Sequence, residues 1–125
     1  MSYHVVDIDS IAPHPDHESD RRTLQGVLDL EHVGVSLYTA APGEQVPQRY
    51  HYHDTQEELF YVIAGRMSVE TPDGEYHVGE NELFLAEPGA PHRAFNADDA
   101  AEPLRVLAIG APVVADGHAY PDDDR

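Results

Sequence analysis

No cysteine occurs among the 125 residues, which excludes disulfides and thiolate metal sites. Any metal would have to be held by histidine, aspartate or glutamate. Lysine is missing too, so the seven basic residues are all arginine, set against 24 acidic residues for a formal net charge of −17. A surface of that sign repels polyanions and argues against nucleic acid as a partner. The same charge reads as adaptation to high salt, where ions screen self-repulsion and a large net charge preserves solubility. No apolar run approaches the ~18 residues of a membrane span. The opening MSYHVVDIDS lacks the basic patch and apolar stretch of a secretory signal, so a cytoplasmic location is expected. Disorder driven by charge is not expected, because 41% of the residues are hydrophobic and fall in alternating runs.

Those runs are short, and none holds a helical period for three turns. In HVGVSLYTA, Val33, Val35 and Leu37 share one side of a strand while Gly34, Ser36 and Tyr38 take the other. Residues 58–64 and 66–70 read as strands flanking Gly65, and Asp73-Gly74 is a hairpin turn signal. ELFLA (82–86) reads as a short buried strand, EPGAPH as a turn, and LRVLAIG (104–110) as a late strand. Many short strands at regular spacing predict an all-β sandwich or closed barrel. The polar, Pro-containing stretch 13–22 reads as a loop, and the acidic tail as a frayed or partner-docked terminus. The expected layout is one domain: an N-terminal extension over 1–30, a barrel over 31–112 and a tail over 113–125.

The chemistry concentrates in RYHYHDTQEELFYVIAG, residues 49–65. Side chains two apart on a strand point the same way, with Cα atoms about 6.6 Å apart. His51 and His53 therefore share a face, and two imidazoles so spaced can converge on one ion. Glu58 can reach the same ion if Asp54-Thr55-Gln56 turns the chain back, and His92 follows a turn much later. A lone His-x-His is weak evidence, since most such pairs sit on surfaces. Arg49, two before His51, falls on the ligand face unless a bulge turns it outward. There it would suit a carboxylate or phosphate on a small-molecule substrate. His32 and His77 read as surface or core histidines, His14 and His17 as surface, and Tyr61 as packing outside the barrel.

The spacing as a whole resembles the cupin family. His51-Tyr52-His53, four residues, Glu58, six residues and Gly65 match the distal part of its first motif. Gly89, His92 and Asn96 match the distal part of its second. Gln45, Asn81 and Glu87 depart from the pattern, at positions that touch no presumed ligand; asparagine is the best stand-in for glycine in a left-handed turn. The resemblance implies a double-stranded β-helix, a small jelly-roll barrel, holding one divalent transition metal (Fe, Mn, Ni, Zn or Cu) through His51, His53, Glu58 and His92. Glu57 is the rival carboxylate, but it lies on the opposite strand face. Asn96 reads as a structural turn residue. A homodimer is implied as well. The expected function is a metal-dependent enzyme, of oxygenase or isomerase type, on a small anionic organic molecule. The alternative is a non-catalytic barrel that binds or senses a small ligand, since this fold hosts many chemistries.

Overall fold

The computed structural model describes residues 2–46 and 49–120. The strands are Asp20–Thr23 (β1), Gly34–Ala40 (β2), His51–His53 (β3), Glu57–Ala64 (β4), Met67–Thr71 (β5), Gly74–Val78 (β6), Leu83–Ala86 (β7), Arg93–Phe95 (β8), Leu104–Ala111 (β9) and Gly117–Ala119 (β10). A five-stranded sheet runs β1-β2-β9-β4-β7, a three-stranded sheet runs β6-β5-β8, and β10 pairs with β3. Two backbone hydrogen bonds between His51 and His92, of 3.0 and 2.9 Å, join β3 to the chain just ahead of β8. This is the expected all-β jelly roll. No helix among the described residues is long and apolar enough to cross a membrane.

Alternation along β4 decides what the interior contains. Glu58, Phe60 and Val62 turn inward, while Leu59, Tyr61 and Ile63 turn out. On β9 they face Gly110, Ala108 and Val106 in register. One half of the interior is packed solid by Phe60, Val62, Met67, Val69, Leu104 and Val106, none more than 1% exposed. The other half, around Glu58, is walled on β2 and β9 by Gly34, Ser36, Ala108 and Gly110. Those side chains are too small to fill the space between the sheets, so a hollow remains there. At Gly110 a Cβ would lie 2.8 Å from the end of the Gln56 side chain, which would have to shift.

Backbone conformation follows residue type at the turns. Thr71 pairs with Gly74 across the expected hairpin, and Asn81 adopts the expected left-handed conformation with φ 66°. Gly65, at φ +85°, lies where a Cβ would sit 2.6 Å from the Pro103 carbonyl oxygen, so only glycine fits between β4 and β9.

Three expectations need correction. ELFLA is half-buried: Phe84 and Ala86 face in, but Leu83 and Leu85 are exposed, because β7 is an edge strand on a sheet covered on one face. Stretch 13–22 is not all loop, since Asp20–Thr23 forms β1, pairing Arg21 with Tyr38 and Thr23 with Ser36. The tail is not frayed over Gly117–Ala119, which pairs with His53, Tyr52 and His51; residues 121–125 lie outside the described residues.

Candidate metal centre

Four side chains from three parts of the chain meet at the hollow end. His51 and His53 come from β3, Glu58 from β4, and His92 from the turn before β8. The Nε2 atoms of His51, His53 and His92 lie 3.3, 2.9 and 2.9 Å from one oxygen, Oε1 of Glu58. His92 is almost fully buried and the other three side chains are mostly so. Donor atoms of His51, Glu58 and His92 all lie within 4.8 Å of one another. His53 stands a little apart from His92, their ring centres 6.5 Å from each other against 4.5 Å for His51 and His92. Glu57 is exposed on the outer face.

The outer edge of each ring fixes what the inner edge offers. Nδ1 of His51 meets the Arg49 carbonyl at 2.8 Å, and Nδ1 of His92 meets the Ala90 carbonyl at 3.0 Å. Nδ1 of His53 meets Oδ1 of Asp116 at 2.9 Å. Carbonyls and an ionised carboxylate only accept, so each Nδ1 carries the proton and donates. With a cation at the common centre each neutral imidazole would present its Nε2 lone pair to it, as metal-ligating histidines do; without one, the same nitrogens face Glu58 Oε1, which can only accept.

One atom tests whether a cation fits. His53 Nε2 is buried and close to Glu58, yet makes no aligned hydrogen bond among the described residues. Buried polar atoms without partners are uncommon and costly. A divalent ion among these donors would satisfy this nitrogen together with the other two. Three imidazoles and a carboxylate, with no thiolate, suit a first-row divalent ion with coordination positions left open.

Electrostatics agree with the geometry. Burial pushes the Glu58 carboxyl up, but hydrogen bonds from His51 and His92 and the close approach of His53 outweigh it and hold the group well below the ordinary carboxylate range. The hydrogen-bonding contact with Glu58 raises His53 above its ordinary 6.5, against burial and with help from Asp116. Asp116 feels burial upward, but the Thr55 and Gln56 amides and His53 bring it below its ordinary value. A pH profile follows for protein stripped by chelator. The depressed carboxylates contribute stability above their ordinary values of 4.5 and 3.8 that is lost on acidification. The raised His53 contributes below 6.5 and is lost as pH rises through its folded value. Thermal melts of stripped protein should therefore peak between pH 4.5 and 6.5; a melting temperature still climbing from pH 6.5 to 8 would contradict this cluster.

The centre opens on a cleft of about 300 Å³ lined by His17, Arg21, Tyr38, Arg49, His51, His53, Gln56 and Glu58. It adjoins the small-residue hollow, about 340 Å³, and the two share Arg21, Tyr38, Gln56 and Glu58. Arg49 is exposed at the rim. His17 is not the surface residue expected; it is half-buried, its ring 5.4 Å from that of Tyr38. His14, His32 and His77 are exposed. Tyr61 faces outward and its hydroxyl donates to Asn81 Oδ1. Asn96 is structural, its buried Nδ2 donating to the carbonyls of Ala40 and Glu102. A separate crevice of about 370 Å³ beside Tyr76 and Phe84 includes His92 alone of the four.

Sequence reasoning missed Arg21, Tyr38, Gln56 and Asp116. Arg21 and Tyr38 are cross-strand partners on β1 and β2. The buried Nε of Arg21 has no hydrogen-bond partner among the described residues. The signal the sequence offers is parity: Tyr38 falls on the strand face opposite Val35 and Leu37.

Comparison with known proteins agrees with this architecture. The cupin domain family matches residues 36–110, more than half of the chain. A curated relative, the polyketide synthase CurC of Streptomyces cyaneus, is 28% identical over 121 residues, spanning 94% of this chain and 77% of that protein. The solved polyketide cyclase RemF of Streptomyces resistomycificus superposes with a TM-score of 0.80 at 20% identity, covering 98% of this chain and 89% of the other. A sugar phosphate isomerase of the cupin superfamily from Silicibacter pomeroyi gives 0.78 at 21% identity, covering 98% and 83%.

Proposed function

This chain belongs to the cupin family, and on that premise we propose that it is a metal-dependent enzyme whose His51, His53, Glu58 and His92 hold one divalent transition-metal ion. The observation that carries the reading is the convergence of three Nε2 atoms on one carboxylate oxygen at the floor of an arginine-lined cleft. When bound, such an ion supplies Lewis acidity toward a substrate carbonyl. We place the reaction in the isomerase or cyclase class, with a substrate that carries neighbouring carbonyl groups and an anionic end. The relative found by sequence is a polyketide synthase, and that name supports a substrate of this kind.

The chain's own residues then divide the work. Arg21 offers a buried guanidinium nitrogen with no hydrogen-bond partner among the described residues, and an anionic substrate group would supply its acceptor. Arg49 at the rim adds a second positive charge on the way in. Tyr38 stays protonated, because burial raises its hydroxyl above the ordinary value, so it serves as a donor beside Arg21. Gly34, Ser36, Ala108 and Gly110 leave the room a substrate needs.

The test pairs metal content with carbonyl chemistry. Purified full-length protein should bind about one zinc, nickel or manganese ion. Loaded with it, the protein should accelerate exchange of the acidic carbon-bound protons of a 1,3-dicarbonyl acid in deuterated water, followed by NMR. Stoichiometric metal with oxygen uptake and no exchange would shift the reading to an oxygenase. Tight ligand binding without either would shift it to a non-catalytic barrel, and no metal at all would end it.

A further inference from the structure

The three imidazoles are not held alike at their outer edges. His51 and His92 each donate to a carbonyl of their own neighbourhood, two residues away. His53 depends on Asp116, which is 63 residues distant and stands at the entry to β10. That carboxylate is fully committed. Oδ1 takes the His53 Nδ1 proton, while Oδ2 accepts from the Thr55 amide at 2.7 Å, the Thr55 hydroxyl at 2.9 Å and the Gln56 amide at 3.0 Å. The same segment continues into the β10-β3 pairing, where Gly117 lies opposite His53 itself.

We propose that Asp116 is the positioning residue of the centre: it fixes His53 in the Nδ1–H tautomer and so makes its Nε2 a ligand. The inference rests on the metal reading above. It goes beyond that reading by making the C-terminal segment a working part of the site. Outer partners of metal-bound histidines typically alter affinity by about 10- to 100-fold.

Asparagine at this position separates tautomer control from simple scaffolding. The two backbone amides and the Thr55 hydroxyl are all donors, so they pin the asparagine oxygen at the Oδ2 position. Its NH2 group must then face His53 Nδ1. A donor there favours the tautomer with a bare Nδ1 and a protonated Nε2, which cannot bind a cation.

Asp116→Asn in the full-length chain is therefore expected to weaken zinc binding by about 10- to 100-fold in competition with a chromophoric chelator. In zinc-free protein, above the range where imidazoles titrate, His53 lies between two carboxylates, so nitrogen-15 spectra should show its proton shared between Nδ1, toward Asp116, and Nε2, toward Glu58, in the wild type, and wholly on Nε2 in the variant. Thr55→Val, which removes one bond to Asp116 and leaves its His53 contact, should keep zinc affinity within about threefold of wild type. Equal zinc affinity in Asp116→Asn, an unchanged tautomer, or an equal loss in Thr55→Val would each overturn the inference. A wild type that takes up no zinc would overturn the metal reading instead; the zinc-free spectra judge Asp116 by themselves.

Discussion

Glu58→Gln is expected to cost about 100- to 1000-fold in affinity for a divalent ion while leaving the protein folded. Glutamine has nearly the same volume and can still accept a hydrogen bond, so the cavity keeps its shape. What disappears is the anionic donor in an otherwise neutral set. Four-ligand zinc sites bind with about 10–16 kcal/mol, so one ligand's share is about 3–4 kcal/mol, or roughly two to three decades. The variant carries a second signature in stripped protein. Without the Glu58 charge, His53 loses the first cause of its raised pKa. The stability maximum between pH 4.5 and 6.5 should then shrink. Chelator competition and pH-dependent melts read the two effects separately. Wild-type affinity in Glu58→Gln would mean that no ion sits among these residues. His32→Ala, at an exposed histidine far from the cluster, is the neutral comparison.

Phe60→Ala acts on the other half of the barrel. Phe60 is 1% exposed, two residues from Glu58 on the same face. Its ring centre stands 6.3 Å from that of Phe84 and 5.8 Å, edge to face, from that of His92. Truncating a buried phenylalanine costs about 3–5 kcal/mol. That is a large part of the roughly 5–15 kcal/mol that keeps such a domain folded. A fall of about 10–20 °C in melting temperature should result. Metal affinity should fall as well, since His92 loses the ring it rests against. Leu59→Ala, one residue along but on the outer face, should cost less than about 1 kcal/mol. Similar losses from both variants would mean that strand alternation does not define the interior here.

What could be read from the sequence follows from how local each signal is. The strands of the barrel announce themselves through period-two alternation, because one face of β4 or β9 meets the core and the other does not. His51, His53, Glu58 and His92 sit beside turn residues at a spacing that is itself informative. Leu83 and Leu85 misled, because an apolar run does not say whether anything covers it. Arg21 lay in a stretch dominated by charge and proline, and β1 becomes a strand only through pairing with β2. Asp116 gave no signal at all: an aspartate in an acidic tail acquires meaning only when the chain returns, some 60 residues later, to lie along β3.

The division of the barrel into a filled storey and a vacant one has an evolutionary corollary. Phe60, Leu104 and Val106 anchor the first; Gly34, Ser36 and Ala108 frame the second. Changes that enlarge or trim the vacant storey need not disturb the filled one, since distant sites contribute almost independently to stability. Ala108, opposite Phe60, borders both storeys, whereas a lineage built on this plan can change what the vacant storey admits through replacements at Ser36 and keep its melting point. Its descendants would then diverge in diet well before they diverge in sturdiness.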